Sequence, residues 1–159
     1  MTFTTADLYD QHESSVQVAL PGFHDYGARK RFFGPVSTIK LYEDNSLVSG
    51  ALEEPGNGRV LVIDGGESMR CALVGDRLAQ LASTNGWAGI IVSGCIRDAA
   101  VIAGIDIGVK ALGTNPRKSV KRNSGERDIP VIFSGVTFTP GEYVYADEDG
   151  ILISKVSLF

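Results

Sequence analysis

Residues 75–98 read GDRLAQLASTNGWAGIIVSGCIRD, and this stretch decides the fold. The run from Asp76 to Gly86 predicts a helix, because its apolar residues fall on one helical face (Leu78, Leu81 and Ala82). Residues Trp87–Gly94 form a short apolar run of the kind that gives a buried strand. A helix start and a strand end that lie one such unit apart are where α/β proteins gather their chemistry.

The chemistry at this point is set by Asp76, Arg97 and Asp98. Twenty residues separate Asp76 from the Arg97-Asp98 pair, so two carboxylates and a guanidinium would join the backbone amides of a helix start. Such a set suits an anionic substrate beside a hard metal ion. The alternative is that Arg97 and Asp98 only begin the next helix, where an acid in the first turn is favoured by the helix dipole.

The type of metal follows from which ligands are scarce. The only histidines, His12 and His24, are far away in sequence, and Cys71 and Cys95 show no CxxC spacing. A zinc site of nitrogen and sulfur ligands is therefore poorly supplied. A carboxylate with water ligands suits Mg²⁺ or Mn²⁺ instead.

Bulk properties favour a small cytoplasmic enzyme. At 159 residues and 17.0 kDa, residues 1–159 make one domain. No apolar run is long enough for a membrane span, and no charged start leads into an apolar signal segment. Two cysteines without a disulfide framework fit a reducing cytoplasm. The net charge of −4 argues against general nucleic-acid binding.

Elsewhere the pattern is mixed and shows no internal repeat. Thr4 or Thr5 is expected to cap a helix through His12, and Asn45 to cap one through about Leu52. Periodicity alone predicts a βαβ core followed by a β-rich tail. The expected strands are Val16–Leu20, Val36–Tyr42, Val60–Ile63, Val109–Leu112, Val131–Phe133, Tyr143–Ala146 and Ile151–Val156.

Four further features each allow two interpretations. Val62–Ser68 faintly resembles a methyltransferase nucleotide motif, but a tight turn beside the site is favoured. Lys110 is a possible Schiff-base lysine, although an edge or solvent-facing residue is favoured. The basic loop 115–122 is expected to be a solvated loop partly used at a subunit contact, with steering of anionic oxo-acids or RNA contact as alternatives. Residues 147–150 are expected to form a turn, with an acid for a neighbouring subunit's metal site as the alternative.

The chain also resembles a known family, the RraA-like proteins, over nearly its whole length and in order. The stretches that carry the resemblance are residues 34–38, 60–66, 72–76, 94–98, 104–108, 135–138 and 145–150. The family contains both the regulator of ribonuclease E activity and metal-dependent 4-hydroxy-4-methyl-2-oxoglutarate aldolases. Aldolase members carry an Asp, 20 residues and then Arg-Asp, which regulator members can lack. This chain has that signature intact.

The resemblance implies a layered β/β/α sandwich of the swivelling-domain type, commonly a homotrimer. It also implies a class II pyruvate aldolase (a lyase) that cleaves 4-hydroxy-4-methyl-2-oxoglutarate to two pyruvates and decarboxylates oxaloacetate. Asp98 would hold the metal, and the backbone N–H groups of residues 75–78 (Gly75, Asp76, Arg77 and Leu78) would hold the substrate carboxylate. Arg97 would donate to the keto oxygen, and Asp76 would orient Arg77, Arg97 or a metal-bound water. The alternative is a non-catalytic protein that binds and inhibits ribonuclease E.

Overall fold

The molecule is organised around four parallel strands whose order brings distant parts of the sequence together. A computed structural model describes residues 2–159. Within them the strands are β1 Val16–Val18, β2 His24–Asp25, β3 Phe32–Lys40, β4 Val60–Asp64, β5 Ala72–Val74, β6 Gly89–Ile96, β7 Gly108–Thr114, β8 Glu126–Arg127, β9 Val131–Phe133, β10 Val136–Phe138, β11 Tyr143–Asp147 and β12 Gly150–Ser154. The helices are α1 Thr5–His12, α2 Ser46–Glu53, α3 Asp76–Thr84 and α4 Ala99–Ile102, with a 3₁₀ turn at Glu13–Ser15.

The main sheet runs in the order β1-β12-β11-β3-β4-β6-β7-β2. Strands β3, β4, β6 and β7 pair in parallel at its centre, while β11, β12 and β1 continue it with antiparallel pairing. Strands β4 and β6 are buried along their whole length, as expected of parallel strands covered on both faces. Strand β5 pairs in parallel with the end of β6.

Two hydrophobic layers cover the central strands. On one face, Leu52 of α2 and Ala79 of α3 pack with Ile63 and Val92. On the other face, alternate residues such as Ile91 pack against side chains of β9 to β12. This is a β/β/α sandwich, so the fold implied by the resemblance is confirmed, and the β-rich tail supplies the second β layer.

The sequence placed most elements correctly and missed some ends. Helix α3 begins at Asp76 as predicted but ends at Thr84, because Gly86 takes a φ of 80° that a helix cannot continue. Thr4 caps α1 as predicted, its side chain accepting a hydrogen bond from the Asp7 N–H at 3.0 Å. Asn45 precedes α2 as predicted, but its side chain makes no capping hydrogen bond.

The favoured interpretation of Lys110 is wrong. Its strand lies between β6 and β2, and the side chain is 2% exposed. Its ammonium group pairs with Asp25 Oδ1 at 2.9 Å. Burial is possible because that carboxylate on the neighbouring strand compensates the charge.

Two expected turns are confirmed. Gly65 and Gly66 turn the chain directly after β4, and Asp64 Oδ1 accepts a hydrogen bond from the Gly66 N–H at 3.0 Å. Residues 147–150 form the turn between β11 and β12. Asp147 is buried there and accepts hydrogen bonds from the Thr5 N–H and Oγ1 at 2.7 and 2.6 Å, so it anchors α1. Among residues 2–159, no helix is long and apolar enough to cross a membrane.

Candidate functional site

The site forms where β5 and β6 end side by side. Because the two strands are parallel and Val74 is in register with Ile96, the residues that follow each strand emerge at the same edge. Gly75 and Asp76 follow β5, and Arg97 and Asp98 follow β6. The Arg97 N–H donates to Val74 O at 2.9 Å and joins the two segments. The 20-residue spacing is therefore one helix and one strand that return the chain to its starting edge.

Asp98 has a backbone conformation that turns its carboxylate toward α3. It lies in the left-handed region, with φ 60° and ψ 38°, which is uncommon for a residue other than glycine. Although it precedes α4, its side chain makes no capping hydrogen bond to that helix. Its Oδ2 accepts a hydrogen bond from the Asp76 N–H at 3.1 Å instead. The carboxylate thus serves the pocket and not its own helix.

The first turn of α3 supplies a cluster of backbone donors. The first hydrogen bond back to the helix start runs from the Ala79 N–H to Gly75 O at 3.0 Å, so the preceding N–H groups have no backbone acceptor within the helix. The Asp76 N–H bonds to Asp98, and the Arg77 N–H bonds to Asp76 Oδ1 at 2.8 Å. The Leu78 side chain is buried in the core, so Leu78 can contact a ligand in the cavity mainly through its backbone.

These groups surround one cavity of about 390 Å³. All six predicted residues line it: Gly75, Asp76, Arg77, Leu78, Arg97 and Asp98. Asp76, Arg77 and Asp98 are exposed, and Arg97 is half-buried, with Nη1 3.4 Å from Pro116 O. Sequence reasoning missed four polar residues that line the same cavity, namely Asn45, Lys118, Ser119 and Lys121.

The missed residues lie there because the basic loop is fastened down. The buried carboxylate of Asp44 accepts hydrogen bonds from the N–H groups of Arg122 and Ser124 at 2.7 and 3.2 Å. Burial opposes ionisation of Asp44, but bonds from Ser46, Arg122 and Ser124 outweigh it and hold the pKa of its carboxyl well below the ordinary value. Residues 115–122 are solvent-exposed as predicted, apart from the half-buried Asn115 and the buried Ser119, but the stretch from Lys118 to Lys121 is held in place beside the cavity.

A divalent cation fits this donor set if it keeps most of its water. Among residues 2–159 no group of three or more His, Cys, Asp and Glu side chains could hold a metal, so the pocket offers at most its two carboxylates. Mg²⁺ is commonly held by one or two carboxylates with several waters. Gly75 leaves the necessary room, because a β-carbon there would lie 2.8 Å from Asp98 Oδ2.

Other candidate groups lie outside the cavity lining. His12, His24 and Lys110 do not line it, and neither do Val62–Ser68, so that turn is not part of the site. Cys71 and Cys95 are free and buried, and burial raises the pKa of both thiols. These thiols are not activated nucleophiles.

Comparisons with known proteins agree with the fold and give several names. The family profile described as "RraA-like: Aldolase/RraA" matches residues 5–153. A protein of Aromatoleum aromaticum named "Putative 4-hydroxy-4-methyl-2-oxoglutarate aldolase" is 58% identical over 158 residues, covering 99% of both chains. A crystal structure from Geobacillus kaustophilus, described as an S-adenosylmethionine: 2-dimethylmenaquinone methyltransferase, is 49% identical, with a TM-score of 0.96, and covers 98% of this chain and 97% of that one. The RNA-processing inhibitor RraA from Thermus thermophilis is 42% identical, with a TM-score of 0.94 and coverage of 98% and 94%. Proteins with this fold thus carry three different functional names, and the geometry of the site has to decide which of them fits this chain.

Proposed function

This chain belongs to the RraA-like (Aldolase/RraA) family, and we propose that it is a divalent-metal-dependent lyase. It cleaves 4-hydroxy-4-methyl-2-oxoglutarate to two pyruvates and decarboxylates oxaloacetate. The observation that carries the proposal is the convergence of Asp76, Arg97 and Asp98 on one cavity at the start of α3. The names of the aldolase relatives support the same reaction.

Both reactions place the same demand on the site. Breaking the C3–C4 bond of 4-hydroxy-4-methyl-2-oxoglutarate leaves its electron pair on pyruvate as an enolate, while the C4 hydroxyl loses a proton and becomes the keto group of the second pyruvate. Oxaloacetate reaches the same enolate when CO₂ leaves. The enolate then takes up a proton at C3 to become pyruvate: the proton released by the C4 hydroxyl balances this step in the aldol cleavage, and water supplies it in the decarboxylation. A site that stabilises negative charge on the C2 oxygen therefore favours both reactions.

The residues of the cavity divide this work. Arg97 donates to the C2 oxygen as charge develops there, and its half-buried position strengthens that interaction over one in bulk water. The helix start of α3, including the Leu78 N–H, binds the C1 carboxylate. Asp76 Oδ1 is held by the Arg77 N–H, which leaves Oδ2 to accept the proton of the C4 hydroxyl directly or through water.

Asp98 would hold the cation, Mg²⁺ or Mn²⁺, and Asp76 lies close enough through its N–H bond to orient that carboxylate. When bound, the cation supplies Lewis-acid stabilisation of the charge on the C2 oxygen. Lys110 has no part in this scheme, because its ammonium group is paired with Asp25 away from the cavity.

A coupled assay tests the proposal. Purified protein is incubated with oxaloacetate and Mg²⁺, with and without EDTA, and pyruvate is measured with lactate dehydrogenase. The expected result is pyruvate release well above the metal-only background that EDTA abolishes. The Asp98→Asn variant should release pyruvate no faster than that background. Wild-type protein that is equally slow would refute the enzyme.

The second candidate is a regulator that binds and inhibits ribonuclease E. The likeness to an RNA-processing inhibitor favours it, and the catalytic residues do not conflict with it. A ribonuclease E cleavage assay with wild type and Asp98→Asn separates the functions, since inhibition by a surface contact should survive this substitution. Equal cleavage with and without the protein would remove this candidate.

The methyltransferase name receives no support from the geometry. A nucleotide motif needs a helix start directly after its strand. The stretch that resembles such a motif is Val62–Ser68. It leaves β4 through the Gly65–Gly66 turn, and the next element of the described chain is the strand β5, not a helix.

We place this function in a cytoplasmic homotrimer that takes small 2-oxo acids as substrates. The family resemblance supports the trimer, and two free buried cysteines agree with a reducing compartment.

A further inference from the structure

The cavity contains more positive charge than one carboxylate of a substrate needs. Four cationic side chains line it, Arg77, Arg97, Lys118 and Lys121, against the two carboxylates of Asp76 and Asp98. Within residues 2–159 none of the four lies within 4.0 Å of a carboxylate oxygen. The neighbouring Arg70 differs, because it donates to Glu43 at 2.6 and 2.7 Å. The cavity therefore carries a formal charge of +2 before any cation binds.

The two lysines lie on a wall that is held in place. Ala72 on β5 donates to Arg117 O at 2.7 Å and pairs with Lys118 in a parallel bridge. At the other end of the segment, the Val120 N–H donates to Glu43 O at 3.3 Å. Together with the Asp44 anchor, these bonds hold the segment against β5.

Lys121 is oriented by a neutral group, so its charge remains available. Its Nζ donates to Asn45 Oδ1 at 2.7 Å. That amide is fixed on both sides, because its Nδ2 donates to Leu73 O at 2.9 Å and its Oδ1 accepts from Ser119 Oγ, also at 2.9 Å. This explains why Asn45 does not cap α2, since its side chain is used to hold the cavity wall.

We propose that Lys118 and Lys121 form the subsite for the distal carboxylate of a dicarboxylic 2-oxo acid. The inference rests on the proposed function, in which Arg97 and the start of α3 hold the keto-acid end. A second carboxylate at the far end of the same molecule then meets two ammonium groups, neither of which is paired with a carboxylate within residues 2–159. The subsite selects dianionic 2-oxo acids over monoanionic ones of the same length.

Binding of unreactive ligands tests this separately from the chemistry. 2-Oxoglutarate has no C4 hydroxyl to cleave and no carboxylate β to its ketone, and 2-oxopentanoate matches its chain length without the distal carboxylate. Titration calorimetry with Mg²⁺ present should show that the wild type binds 2-oxoglutarate roughly 10- to 100-fold more tightly, the range for losing a charged hydrogen bond.

The variant with Lys118→Gln and Lys121→Gln should lose this preference while its affinity for 2-oxopentanoate stays unchanged. Replacing both lysines by arginine should preserve the preference. The matched control combines Lys30→Gln and Lys155→Gln, which removes the same charge from exposed positions outside the cavity and should behave as wild type.

The outcomes separate the two proposals. A preference that survives in the Lys118/Lys121 glutamine variant, an equal loss of both ligands, or equal loss in the control overturns the subsite. A wild type that shows the preference yet releases no pyruvate from oxaloacetate supports the subsite and refutes the proposed chemistry.

Discussion

Replacing Gly75 by alanine tests whether the position of the Asp98 carboxylate matters. The backbone at Gly75 is extended, with φ −121° and ψ −170°, so alanine can adopt it. Its β-carbon, however, would lie 2.8 Å from Asp98 Oδ2, while the nearest atoms of Arg97 stay at 3.6 and 3.7 Å. The carboxylate must therefore retreat, and the 3.1 Å hydrogen bond from the Asp76 N–H must lengthen or break.

This substitution is expected to lower the activity with little effect on the stability of the protein. Asp98 is exposed and can move into solvent, so the lost hydrogen bond costs about 1 kcal/mol of unfolding free energy. The lower entropy of the unfolded alanine chain returns about 0.4–1 kcal/mol. The net change in stability is therefore under about 1 kcal/mol. A misplacement approaching 1 Å can cost about 10²-fold in rate, so kcat for oxaloacetate should fall roughly 10- to 100-fold.

The assay pairs pyruvate release with thermal unfolding. Gly50→Ala is the control, since Gly50 lies within α2, is exposed and has nothing within 4 Å of an added β-carbon. The control should keep full activity and gain about 0.5–1 kcal/mol from helix propensity. If Gly75→Ala also kept full activity, the placement of Asp98 beside α3 would be irrelevant to the reaction.

Asp98→Asn should weaken Mg²⁺ binding in calorimetry and abolish turnover. Arg97→Lys should keep the metal affinity but lower kcat roughly 10²–10³-fold, because lysine lacks the planar guanidinium fork. An active Asp98→Asn protein with intact Mg²⁺ affinity would contradict this prediction. The folded-state pKa of Asp44 is depressed, so its stabilising contribution is full above the ordinary value of about 4 and is lost as the pH falls below it. In denaturant titrations, Asp44→Asn should therefore lower the free energy of unfolding by about 1–3 kcal/mol at pH 7 and by progressively less below pH 4. An equal loss at pH 7 and below pH 4 would contradict this prediction. Borohydride with pyruvate should leave Lys110 unmodified by mass spectrometry, because its ammonium group is buried in an ion pair; a pyruvyl adduct there would refute the metal-dependent mechanism. Light scattering should give about three times the 17.0 kDa chain mass, and a fully active monomer would exclude the trimer.

Local patterns predicted the helix and the strand at the centre of the fold, but the candidate site also needed the family resemblance. The apolar run of β6 and the amphipathic pattern of α3 are each contained in a short window, and parallel pairing with β5 then brings Asp76 beside Arg97 and Asp98. On spacing alone, Arg97 and Asp98 could equally have only begun the next helix, and the resemblance to aldolase members decided between the two interpretations. The short strands β2 and β8 lacked any such signal, since each has only two residues and exists through its pairing partner.

Errors arose where a residue's role depends on a partner far away in sequence. Lys110 looked like a surface lysine because nothing near it in sequence announces Asp25, which is 85 positions earlier and meets it only through strand register. Asn45 looked like a helix cap because position and residue type both fit. Its side chain instead bonds to Ser119 and Lys121, which are more than 70 residues away in sequence. Helix and strand periodicity predicts contacts only between residues that are close in sequence.

The same long-range bonds explain why the cavity wall that contains Lys118, Ser119 and Lys121 was not predicted from the sequence. A run of basic residues is usually solvated, and composition alone offers no reason to think otherwise. The run is indeed exposed, but the buried Asp44 carboxylate binds the backbone of Arg122 and Ser124 and so fixes the segment against the sheet. The end of the cavity that holds Asp76, Arg97 and Asp98 is thus encoded locally, by a helix start and a strand end. The end lined by Lys118 and Lys121 depends on one buried acid. If these lysines bind a distal carboxylate as we propose, the preference for dianionic ligands should be lost when Asp44 is replaced, even though Asp76, Arg97 and Asp98 remain in place.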